Sequence, residues 1–125
     1  IWITEGNDSL AIGNKIKGAK SSALLIFDEY RNSFAGENNI ECNAKEGIFN
    51  LGDFGILLNN ELLHNGDKGI ILDTSAIGNL AMNNKLVCNI PENISDRGIN
   101  NLINNIDKPC KPCESPSDVC SNCVD

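Results

Sequence analysis

The chain has 125 residues, a formal net charge of −7 and six cysteines. That length allows one domain with room for a tail, and 41% apolar against 22% charged residues excludes a disordered polyampholyte. The acidic balance argues against nucleic acid or an anionic membrane as partner, and no apolar run approaches the ~18 residues of a membrane span.

Asparagine is the conspicuous excess. There are 20, against two threonines, Thr4 and Thr74. Helices and strands both avoid asparagine, so a specific arrangement must hold it. The chain opens without Met, signal peptide or basic leader, the pattern expected of a processed form or a fragment.

Taken in chain order, short extended pieces recur. IWITEGNDSL at the start lines up with LIFDEYRNSF at 25–34, Ile1 facing Leu25 and Ile3 facing Phe27. The chain therefore enters in mid-coil. Leu10, Phe34, Ile56, Leu80 and Leu102 follow at steps of 24, 22, 24 and 22. Ile16, Ile40, Leu62, Leu86 and Ile106 step by 24, 22, 24 and 20, and Leu24, Ile48, Ile70 and Ile94 by 24, 22 and 24. The shortened step falls at one place in every column, marking a two-residue deletion in the turn 49–56. Within each unit, as in Leu10-Ala11-Ile12, apolar residues alternate at the strand period with one face buried. Short strands at a 22–24-residue period predict a β-solenoid. A leucine-rich repeat would instead carry closely spaced leucines and a helical stretch, and no 3.6-residue period appears.

Asparagine fills two further columns, Asn14, Asn38, Asn60, Asn84 and Asn43, Asn65, Asn89. Stacked amides can bond along the coil axis at the ~4.8 Å strand spacing. Gly47, Gly69 and Asn93 share another column headed by Ala23. Charges stack as well: Lys17 against Glu41, Glu61 against Lys85, Asp73 against Arg97, and Glu46, Lys68, Glu92 in alternation. Glu5, Glu29 and Asp53 break the alternation and are the candidates for a surface Ca²⁺. The single histidine, His64, shares a column with Gly18, Cys42 and Cys88 and lacks a carboxylate or second histidine to orient it.

Cys42 and Cys88 sit two coils apart, ~9.6 Å by strand spacing, beyond the ~7 Å reach of a disulfide. They do not bridge each other, and are either buried thiols or bonded to something outside the ladder. The remaining cysteines, Cys110, Cys113, Cys120 and Cys123, are spaced C-x2-C-x6-C-x2-C in a Pro- and Ser-rich tail. Paired CxxC motifs suggest zinc; a secreted solenoid would be oxidised, which favours disulfides. Zinc, disulfides and free thiols all stay open. One disulfide scheme pairs tail cysteines with Cys42 and Cys88, in the same chain or a neighbour.

The pattern NN-x-I/L, then N, then G-I resembles the right-handed parallel β-helix repeat of the pectate-lyase-like family, which includes polygalacturonases, phage tailspikes and carbohydrate-binding β-helices. The resemblance covers residues 1–106 and is one of fold. It implies an all-β, right-handed, single-stranded parallel β-helix of about four complete coils plus two half coils, followed by a Cys-rich irregular tail at 107–125. In that family, lyases use Asp-bound Ca²⁺ with an Arg or Lys base, and hydrolases use clustered Asp. Here the two arginines, Arg31 and Arg97, lie in different turns and the aspartates share no column. No catalytic residue is carried over, and the chain is expected not to be an enzyme and to need no cofactor.

At the far end, Leu102 and Ile106 occupy half a coil before Pro109 stops it. Open solenoid ends expose apolar side chains and strand edges. Ile1, Trp2, Ile3, Leu102 and Ile106 are therefore candidates for an interface between copies. The expected function is a structural, self-assembling subunit of an extracellular or cell-surface fibre, a homopolymer stacked head to tail through its half coils, with intermolecular disulfides as a further lock. The alternative is a carbohydrate-binding or adhesive β-helix module, or the C-terminal fragment of a larger secreted protein, with Trp2 and Tyr30 as the aromatics a glycan would want.

Overall fold

The structure, a computed structural model, describes residues 1–3, 7–27, 31–111 and 120. Each coil lays down short strands on three faces. The first carries β1 (Trp2–Ile3), β2 (Leu10–Ile12) and β3 (Lys15–Lys17). The second carries β4 (Leu24–Ile26), β5 (Phe34–Gly36) and β6 (Asn39–Glu41), and the third β7 (Ile48–Asn50), β8 (Ile56–Leu58) and β9 (Glu61–Leu63). Next come β10 (Ile70–Leu72) and β11 (Leu80–Val87), which runs through two faces, and finally β12 (Ile94–Asp96) and β13 (Leu102–Lys108).

Like strands stack in parallel. One sheet has the order β1-β4-β7-β10-β12, and the second and third faces share β11 and β13. This is a parallel β-solenoid of about four turns. The three-residue strands of the second and third faces each stop at a residue in left-handed backbone, Gly13, Glu37 and Asn59 after one set and Gly18, Cys42 and His64 after the other. The two-residue deletion lies between Leu51, which bonds Ile26 of the preceding coil, and Asp53, which pairs with Arg31.

The core is a single column of aliphatic layers. Leu24, Ile48 and Ile70 fill the first face, Ala11, Ala35, Leu57 and Ala81 the second, and Ile40, Leu62 and Leu86 the third. The second face corrects the sequence reading. The small central residue of Leu10-Ala11-Ile12 points inward, and its larger neighbours point out, Leu10 at 69% exposure. Alternation defines two faces but not which one is inside. The narrow interior takes alanine there and leaves Leu10, Phe34, Ile56, Leu80 and Leu102 on the outer side.

Two end registers also differ by one residue from those expected, and one step moves a side chain to the opposite face. Trp2 pairs with Leu25 and Ile3 with Ile26. Ile3 therefore enters the core and Trp2 faces out, its ring edge-on to Phe27 at 6.5 Å. At the other end β13 slips between its halves, so Ile106 pairs with Lys85 and Asp107 with Leu86. Ile106 consequently lies outside, at 54% exposure.

Three corners per coil take left-handed backbone. One column is Asp8, Asn32, Phe54, Gly78 and Asn100; the second is Gly13, Glu37, Asn59 and Asn83; the third is Gly18, Cys42, His64 and Cys88. Asparagine tolerates this region because its short amide can bond locally, which accounts for a second group of asparagines outside the ladders. Gly78 is needed twice over. Its φ is +66°, and an added Cβ would lie 2.7 Å from the Phe54 ring.

Candidate functional site

The asparagine columns are hydrogen-bonded ladders. In the first, the backbone N–H and the Nδ2 of each residue both donate to Oδ1 of the asparagine one coil on. The Nδ2 bonds are 3.0 Å for Asn14 to Asn38, 2.8 Å for Asn38 to Asn60, 2.9 Å for Asn60 to Asn84 and 2.7 Å for Asn84 to Asn105. The second Nδ2 proton goes back to a carbonyl of the coil before: Ala11 for Asn38, Ala35 for Asn60 and Leu57 for Asn84. Each interior amide thus uses two donors and two acceptor sites, the full capacity of the group. This is why 0–1% exposed asparagines at 38, 60 and 84 are stable inside an apolar column.

The second ladder runs from Asn43 through Asn65 and Asn89 to Asn93, with Nδ2-to-Oδ1 bonds of 2.9, 2.8 and 2.8 Å. Its last rung comes from the turn only four residues after Asn89, although the Asn93 backbone continues the Gly47 and Gly69 column. Asn79 and Asn101 make a third ladder that the sequence reading missed. Its column begins Ser9, Ser33, Gly55, so the asparagine signal starts only in the fourth coil.

The outer charges settle as paired neighbours. Lys17 meets Glu41 at 3.4 Å, Lys85 meets Glu61 at 2.7 Å, and Arg97 meets Asp73 at 2.5 Å. The Glu46–Lys68 alternation is not built: Lys68 bonds the adjacent Asp67, and Glu46 accepts from Ser22. Of the Ca²⁺ candidates, Glu5 and Glu29 lie outside the described residues. Asp53 sits opposite Arg31 and caps the N–H of Ile77. Among the described residues no group of three or more His, Cys, Asp or Glu could hold a metal ion.

The third corner gathers the cysteines. Cys42 is bonded to Cys120 and Cys88 to Cys110, with Cα atoms 5.4 and 4.2 Å apart. Cys120 also reaches the His64 carbonyl between them at 3.3 Å. Cys120 is therefore anchored two coils nearer the N-terminal end than Cys110. Cys110 and Cys120 are thus engaged in disulfides with the coils. Cys113 and Cys123 lie outside the described residues. A groove of about 510 Å³ opens beside this corner between Leu63, Val87, Lys85 and Lys108.

The coil ends are the remaining candidate. β1, β2 and β3 close one end and β12 and β13 the other, and among the described residues each is paired along one edge alone. Trp2 at 63% and Leu102 at 59% stand exposed there, with Ile1 and Ile106. Tyr30 lies outside the described residues. No helix among the described residues is long and apolar enough to cross a membrane. No protein-family model matches the chain, nor does any curated protein or solved structure. The architecture itself, a β-solenoid with asparagine ladders and disulfides, is consistent with a structural repeat protein.

Proposed function

We propose that the chain is a structural subunit that assembles head to tail into an extracellular or cell-surface fibre, without catalytic activity or cofactor. The observation that carries this reading is that, among the described residues, the strands of the first and last coils are paired along one edge alone. Parallel strands that end a solenoid with one unused edge are sites for strand addition. A contact between two different ends is heterologous, and it propagates as a filament when the rotation does not close. The two disulfides support an oxidising location. They also change the proposed lock: Cys42, Cys88, Cys110 and Cys120 are paired within the chain, so the contact between copies is noncovalent unless Cys113 or Cys123 joins it. Negative-stain electron microscopy of the oxidised protein is expected to show unbranched filaments one solenoid wide. Discrete monomers at every concentration would overturn the reading.

The exposed indole of Trp2 favours a second reading, an adhesive module that stacks a sugar ring on this side chain. A glycan array is the check: hits lost in Trp2→Ala would support it, and an array without hits would remove it.

A further inference from the structure

The three ladders share one polarity but not one ending. Each rung offers its Oδ1 toward the N-terminal end of the solenoid and its backbone N–H and one Nδ2 proton toward the C-terminal end. The second ladder is closed: Nδ2 of its last rung, Asn93, donates to the Asp107 carboxylate and the Lys108 carbonyl. The third is closed too, since Nδ2 of Asn101 donates to the Asp96 carboxylate at 2.8 Å and to the Ala76 carbonyl. In both, a carboxylate from the final coil stands where a next rung would be. Among the described residues the first ladder has no such terminator. Its last rung, Asn105, accepts both bonds from Asn84, yet its own Nδ2 is shielded from solvent and has no partner among the described residues. A buried amide donor in that state is destabilising until an acceptor reaches it.

At the opposite end, the same ladder begins with Asn14. Its backbone N–H and Nδ2 both donate onward to Asn38, which leaves Oδ1 facing the N-terminal edge. No described coil lies on that side. We infer that Asn105 and Asn14 are the two halves of a docking rung, and that the partner at each end is a second copy of this chain. The inference rests on the fibre reading and sharpens it, because it fixes the direction and the register of stacking. Asn14 of the incoming copy becomes the rung after Asn105, its β2 lies on residues 102–104 of β13, its β3 on residues 106–108, and its β1 on β12. The two ends are then not interchangeable: donors meet acceptors in one orientation, while two C-terminal ends would set donors against donors and two N-terminal ends acceptors against acceptors. The junction also brings Lys17 over Lys108, so charge does not drive it; the amide rung and the apolar edge do.

Two variants test this. Asn105→Asp keeps the oxygen that Asn84 bonds but replaces the outward donor with an acceptor. Asn14→Ala keeps its backbone donor to Asn38 and removes the outward oxygen. Circular dichroism and thermal melting first establish that each folds. Each alone is expected to lose filaments, because one of its two ends is disabled. Mixed in equal amounts they are expected to form discrete dimers in native mass spectrometry, joined through the intact Asn105 of one and the intact Asn14 of the other. Filaments in the unmodified protein that also form in either variant alone would overturn the docking rung and leave the fibre reading standing. Absence of dimers in the mixture would likewise overturn the docking rung. An unmodified protein that forms no filaments would overturn the fibre reading itself.

Discussion

At the scale of single residues, the fold turns on where an asparagine sits. Asn60 is saturated on all four valences inside the column, whereas Asn104 is exposed on the outer surface. Asn60→Ala would strand the N–H and one Nδ2 donor of Asn38 and remove donors from Ala35 and Asn84. Orphaned buried groups cost about 1–3 kcal/mol each, so a loss of roughly 3–5 kcal/mol is expected in urea unfolding. Asn104→Ala should stay within about 0.5 kcal/mol. Equal effects would mean that the ladder contributes no more than a surface polar group. The sequence columns displayed Asn14 to Asn84 and Asn43 to Asn89 because they keep the coil's own step. They hid Asn105, which lies 21 residues after Asn84 through the slip in β13, and Asn93, which reaches its ladder from a turn. A column count sees backbone position, and these two rungs depart from it.

At the scale of elements, register was legible where an aliphatic side chain had to be inside, as along β4, β7, β10 and β12. It was not legible at β1, where two residues carry no alternation to choose between Ile1 and Trp2, nor at β2, where the core takes alanine. That tail cysteines pair with Cys42 and Cys88 was legible as one scheme and is the one built; which tail cysteine meets which was not, because four candidates allow several partners at equal sequence cost. The disulfides now carry a ranking. Cys88–Cys110 spans 22 residues and Cys42–Cys120 spans 78. On loop-closure entropy the two stabilise by roughly 3 and 4–5 kcal/mol. Replacing each pair by serine and following thermal unfolding should therefore lower the midpoint more for Cys42/Cys120 than for Cys88/Cys110. The reverse order would show that local packing at the corner, and not loop length, sets their effect.

For the whole molecule, the −7 net charge opposes any contact between copies. Raising salt from about 10 mM to about 150 mM shortens the screening length from about 30 Å to about 8 Å. End-to-end growth, followed by light scattering, is expected to speed up several-fold across that range. Growth that slows instead would point to an assembly held by ion pairs rather than by edges and amides. The repeat made the solenoid legible as a whole, since every column carries the same rhythm. The difference between its two ends was not legible, because it resides in which ladders find a terminating carboxylate, and Asp96 and Asp107 announce that role only once folded.

The doubly anchored tail has a mechanical consequence. Cys42 and Cys88 are 46 residues apart along the coils, but through Cys120 and Cys110 they are joined by a path of ten residue steps. Under tension along the axis, peeled coils between them could open only until that path is taut, about 35 Å at ~3.5 Å per residue. The same stretch without the disulfides would run to about 160 Å. The tail thus acts as a tether in parallel with the coils, letting two turns yield under load and return, while the coils beyond it have no such limit.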